Sequence, residues 1–321
     1  MIDDKLIGSP SSRPEAIPKP SSPPSDRLPA PFPRRLKILA ALTVLLAVCF
    51  ATPLWSLARY ALHSDLYSHV LLIPFISLYL IWLRKQDLAL ASGPVRRLAI
   101  IPLMVGVAAL AAYWFALHAG WKPGRDDYLA LMILSWWSFL LAGGFLMLGA
   151  ETLRRLAFPL SFLVFTVPFP TIVLEWIKAF LQQGSADAAH ALFWLSGTPF
   201  SRQGLQFDLP GFSLEVAPQC SGLHSSLVLF ITSLLAGYLF LRSPWRRAVL
   251  TLAVIPLALV RNGFRIFVIG ELCVNVSPDM INSNLHRKGG PIFFALSLIP
   301  FFLLLLLLRR SESKRRSTVG P

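Results

Sequence analysis

The run Pro291–Leu308, PIFFALSLIPFFLLLLLL, holds eighteen residues without a charge. That is close to the roughly 20 apolar residues a helix needs to cross a bilayer core about 30 Å thick. Inside such a core no water can serve the backbone, so the chain must satisfy its own hydrogen bonds as a helix. Seven more segments of this character precede it, at about 38–60, 68–83, 98–119, 128–149, 156–174, 223–241 and 248–269. The second and the last are a little short, and the proline-rich fifth reads as broken. The expected fold is an all-α polytopic membrane protein with about eight transmembrane helices.

Composition supports this class. Of 321 residues, 55% are hydrophobic and 14% charged, whereas a soluble domain carries about a quarter charged residues. The basic excess, 30 Lys and Arg against 16 Asp and Glu, would suggest nucleic acid in a soluble protein. Here the basic residues flank apolar runs, so they read as topology signals and no nucleic-acid partner is expected. Arg34, Arg35 and Lys37 precede the first span, and Arg84, Lys85, Arg96 and Arg97 follow the second. Arg154 and Arg155 follow the fourth, Arg242, Arg246 and Arg247 the sixth, and Arg309, Arg310 and Lys314–Arg316 the eighth. The alternate loops are poorer in positive charge. The positive-inside rule then puts both termini in the cytoplasm, which an even span count also requires.

Three regions are expected. Residues 1–35 are rich in Pro and Ser and lack an early apolar core; they read as a disordered cytoplasmic tail without a cleavable signal. Residues 36–308 form the membrane domain, and 309–321 a basic cytoplasmic tail. Between spans five and six lies the longest external segment, about 175–220. Its first half has helical apolar spacing, like an interfacial helix. Its second half alternates around Gly and Pro, like short strands or a hairpin. The three cysteines, 49, 220 and 273, offer no CxxC spacing, and no metal or other cofactor is expected.

On this topology several reactive side chains reach one external layer. Cys220, in EVAPQCSGLHSS, lies just before span six. Arg265 is 17 residues beyond Ala248, roughly 26 Å along an outward-running helix. His286 lies shortly before span eight, and His69 at the outer start of span two. A cation lowers a thiol's pKa, a guanidinium can hold an oxyanion, and an imidazole can carry a proton from thiol to leaving amine. Each residue also has a plainer reading. Cysteines at membrane-helix ends are commonly small apolar filler, as Cys49 and Cys273 read here, and arginines near helix ends commonly snorkel. Arg261, one turn deeper than Arg265, implies an inward partner or a role for that face. Glu215 reads as capping a turn or pairing with an arginine. His224, four residues after Cys220, shares its face if the helix has begun, and is either a base or a polar lining residue. His118 and His190 read as lining or interfacial.

The combination of CSGL (220–223), NGFRI (262–266), His286 before GGPIFF and YSHVLLIPFISLYLIWLRK (67–85) resembles the exosortase/archaeosortase family. The similarity covers about residues 38–308. The resemblance implies a membrane cysteine transpeptidase or protease, with Cys220 as nucleophile, Arg265 in an NxxR frame opened by Asn262, and His286 as third member. It implies membrane-anchored protein substrates bearing a C-terminal sorting signal (a short motif, one transmembrane helix and a basic tail). Cleavage would proceed through a thioacyl enzyme resolved by an amine or water, at the external face of the inner membrane. Family members often carry arginine where this chain has His224, so which histidine moves the proton stays open. The rivals are a transporter component, with Arg261 and Arg265 as substrate contacts, and a non-catalytic scaffold for envelope or exopolysaccharide assembly.

Overall fold

The computed structural model describes residues 32–84, 96–218, 221–283 and 289–318. Most of the proline-rich tail, Lys85 and the residues Cys220 and His286 lie outside them. Twelve α-helices and three short strands are present among the described residues. They are α1 (Phe32–Cys49), α2 (Ala51–His63), α3 (Ile73–Leu83), α4 (Arg96–His118), α5 (Arg125–Met147), α6 (Gly149–Arg155), α7 (Ala157–Phe162), α8 (Thr171–Ser196), β1 (Ser201–Gln203), β2 (Gln206–Leu209), β3 (Phe212–Glu215), α9 (Leu223–Phe240), α10 (Pro244–Leu252), α11 (Val254–Asn275) and α12 (Gly290–Thr318). Short 3₁₀ turns span Ser68–Leu71, Leu163–Thr166 and Pro278–Asn282.

All eight apolar segments fall on helical chain, which makes this a multi-pass membrane protein. Five helices are long and apolar enough to cross a bilayer: α4, α5, α9, the α10–α11 pair and α12. Two bent pairs would raise the number to seven: α1 with α2, turned by 72°, and the 157–166 segment with α8, turned by 91°. Residues Ser68–Leu83 are apolar and helical but shorter than a span. At the basic chain end, α12 runs on to Thr318, so residues 309–318 of the stretch read as a tail continue the last helix.

Between the fifth and sixth apolar runs the structure has a helix followed by short strands, as the spacing reads. The hairpin is a three-stranded antiparallel sheet, order β1-β2-β3. Phe207 pairs with Leu214, Gln206 with Glu215 and Ser201 with Asp208. Two-residue connections at 204–205 and 210–211 join the three strands. The helix read from residue 175 begins at Thr171 and packs lengthwise on α11. Gly184 meets Leu259, Gly263 meets Ala188, and Gly270 meets Phe193. Contact positions rise together along both chains, so the two helices run parallel. At Gly263 an added Cβ would come within 2.5 Å of Ala188 Cβ and 2.9 Å of the Ala189 backbone nitrogen. Small residues are what let membrane helices approach this closely.

The sheet sits on the C-terminal half of this pair. Ala186, Ala189, Phe193, Phe207, Leu209, Leu214, Val216 and Ile266 form one buried cluster, and Gln182 donates to the Val216 carbonyl. At its start, α8 has no capping side chain of its own. Asp127 of α5 supplies one, accepting from Thr171 N (2.7 Å) and Thr171 Oγ1 (3.0 Å). Elsewhere α9, α10 and α12 share a core around Leu229, Leu250 and Phe301.

Candidate active site

The chain entering α9 fixes the site. Gly222 is its N-cap, with φ 70° and ψ 16°, a left-handed conformation that favours glycine. Space makes the same demand: an added Cβ would lie 2.8 Å from Arg261 Nη2 and 3.1 Å from Asn262 Oδ1. The Gly222 carbonyl accepts from Arg261 Nη2 (3.2 Å), Ser226 Oγ (2.8 Å) and Ser225 Oγ (3.1 Å), and from the Ser226 backbone N–H (3.0 Å). Arg261 Nη2 also reaches Ser226 Oγ at 3.2 Å. The segment following Cys220 is thereby tied to the Arg261–Asn262 step of α11, and both of those residues are buried.

A cleft of about 780 Å³ opens beside this junction. Its lining includes Pro218 and Ser221, the described neighbours on either side of Gln219–Cys220, together with Gly222–Ser225 of the α9 start. Arg265 enters from α11, Gly290 and Pro291 from the start of α12, and Lys178 from α8. Asp65, Leu66 and Ser68 complete it ahead of α3. Three stretches distant in sequence, around 220, 265 and 290, therefore border one cavity. Helix α9 begins in its wall with Gly222, which has no side chain, as N-cap, so the positive end of the helix dipole lies at this region.

The other candidate residues take distinct places. His224 lines the cleft half-buried, and its Nδ1 is buried with no hydrogen-bond partner among the described residues. His69 stands behind, near enough to interact electrostatically with His224, and does not line the cleft. Arg261 is the structural clamp beneath Gly222; its Nη1 is buried without a partner among the described residues. Asn262 and Glu215 border a smaller cavity that Arg265 also lines, and Glu215 is exposed at the end of β3. Near His69, burial and the nearby Asp126 push the Tyr67 hydroxyl well above the usual phenol range, so it stays protonated at neutral pH.

Lys178 is a cleft residue that the sequence reading passed over. It pairs with Glu175 at 2.8 Å, one turn away, and the only signal for it was a single cation on a helix read as interfacial. Exposed His118 bonds the Trp114 carbonyl, and exposed His190 packs edge-on against Phe200. Cys49 is exposed on α1 and Cys273 buried in α11. Among the described residues no group of three or more His, Cys, Asp or Glu could hold a metal ion.

This arrangement can hold an extended polar chain in a cleft, with a guanidinium, an imidazole and a helix start around it. A family model described as transmembrane exosortase matches residues 55–303, which takes in every element from α2 to the first half of α12. No curated protein and no solved structure matches the chain.

Proposed function

The chain belongs to the transmembrane exosortase family, and from that premise we propose that it is a cysteine transpeptidase or protease acting on C-terminal sorting signals of membrane-anchored proteins. One observation carries the reading. Arg265, the described neighbours of Cys220 and the chain just beyond His286 border the same cleft. Chemistry that needs a thiol, a cation and a base has its sequence stretches gathered there.

The reaction follows from those groups. Histidine accepts the Cys220 proton, and the thiolate attacks a substrate peptide carbonyl, forming a C–S bond. Negative charge passes to the carbonyl oxygen, where Arg265 and the N–H groups of the α9 start stabilise it. On collapse the C–N bond breaks, and histidine returns its proton to the departing amine. A second amine, or water, attacks the thioacyl carbon and frees the Cys220 thiol. Either His286 or His224 could serve as base; His224 already lines the cleft. In this reading both termini face the cytoplasm and the cleft opens on the external side of the inner membrane.

The test uses a reporter ending in a short motif, one apolar span and a basic tail, co-expressed with the enzyme. Loss of the tail should stop with Cys220→Ala. Processing that continues unimpaired in that variant sinks the catalytic reading and favours the scaffold or transporter alternatives.

A further inference from the structure

Arg265 also lines a second, smaller cavity of about 90 Å³. Val216 and Ala217, just after β3, line one side, Ile266 and Ile269 of α11 the second and Ile281 the third; Glu215 and Asn262 add polar groups, and Arg265 lines both this cavity and the cleft. Val216 and Ile266 belong to the packed cluster of sheet, α8 and α11, so these walls are held from behind. The same three stretches carry the proposed chemistry. Ala217 is three residues before Cys220, Ile281 five before His286, and Arg265 is itself a wall. An unfilled apolar cavity forfeits dispersion contacts for every atom that lines it. One kept open beside the cation proposed to hold the oxyanion invites a substrate group.

Resting on the transpeptidase reading, we propose that this pocket receives the side chain of the residue whose carbonyl Cys220 attacks, and that it selects a compact aliphatic one. The connection is covalent. A side chain branches from the carbon next to its own carbonyl, so an oxygen held by Arg265 leaves that side chain beside the same guanidinium. Size sets the selection. A cavity of about 150 Å³ holds a benzene, so one of about 90 Å³ takes a branched aliphatic group of valine size and refuses a phenyl ring. Aliphatic groups from Val216, Ile266, Ile269 and Ile281 make up most of the lining, beside the polar Glu215, Asn262 and Arg265, so an aliphatic guest gains the most contact there.

The full-length enzyme in detergent micelles would be treated with N-acetyl-aminoacyl chloromethyl ketones whose single residue is Ala, Val, Leu or Phe. Alkylation, in which the Cys220 thiolate displaces chloride, is followed by intact mass, with Cys220→Ala as the blank. The valine reagent should label at least about tenfold faster than the phenylalanine one, the scale on which apolar pockets discriminate. Ala217→Leu, which fills the pocket, should lower the Val-to-Ala rate ratio by about tenfold, and Ile281→Ala should raise the Phe-to-Val ratio by a similar factor. Because each ratio is read within one variant, changes in expression or thiol reactivity cancel. Ratios untouched by both substitutions overturn the pocket assignment and leave the transpeptidase reading standing. If none of the four reagents alkylates Cys220 in folded protein, that reading falls and takes the pocket with it.

Discussion

At Gly222 a left-handed backbone and a guanidinium 2.8 Å from where a Cβ would stand make the same demand. Gly222→Ala should cost about 1–2 kcal/mol from the backbone alone and displace Arg261 as well. Lower thermal stability in micelles and reduced reporter processing should appear together. The two arginines should separate differently. Arg265→Lys keeps a charge on the cleft but loses the planar fork; processing should fall by about 10²–10³-fold, as when one oxyanion donor is lost, with thermal stability nearly unchanged. Arg261→Lys should lower stability first, since it strips a donor from the buried Gly222 and Ser226 oxygens at about 1–3 kcal/mol. A thermal melt and a processing assay on both variants decide it. Sequence alone could not sort this pair. Residues four apart share a helix face, and which one meets Gly222 depends on how the start of α9 docks, a tertiary fact without a local signature. The contact of Gly222 with Asn262 joins two motifs forty residues apart.

Between elements, the close parallel pairing of α8 and α11 sets where Arg265 stands. Gly263→Leu would drive a side chain into the Ala189 backbone and should destabilise by about 1–3 kcal/mol, as overpacking does, with processing lost through displacement of Arg265. Asp127→Ala should cost about 0.5–2 kcal/mol, the range for a lost helix N-cap, because Asp127 serves the start of α8 from another helix. Differential scanning of the two purified variants measures both. The helix at 171–196 was legible by its spacing, since apolar period marks a helix whatever it packs on. Its partner was not. An amphipathic stripe looks the same against lipid headgroups as against α11, and glycine in a helix reads as a weakness until the neighbour's backbone is seen. The short strands were legible in the same way, although alternation over four residues marks a strand and says nothing about how many follow.

For the whole molecule, the apolar runs were the most legible feature because bilayer thickness converts directly into helix length. Counting crossings was harder where helices bend, as at the 91° turn before α8. Orientation can be read by labelling. In a Cys49→Ser, Cys220→Ser, Cys273→Ser background, Ser201→Cys on β1 should react with a membrane-impermeant maleimide in cells made permeable only at the outer membrane. Ser313→Cys on α12 should react only after full lysis, and the reverse pattern would overturn the proposed topology. At that far end Glu312 accepts from the Arg242 and Ser243 backbone N–H groups and pairs with Arg246 at 3.3 Å, so α12 is fastened to the α9–α10 corner and its opposite end stays directed at the cleft. There Arg265 lines two cavities at once, the cleft and the smaller pocket. A hydrocarbon group entering the pocket would expel water from around the guanidinium, and a charge with less water about it exerts a stronger field on its other neighbours. Choice of side chain would then register in the rate of acylation more than in substrate affinity, with the correct residue sharpening the group that helps to cleave it.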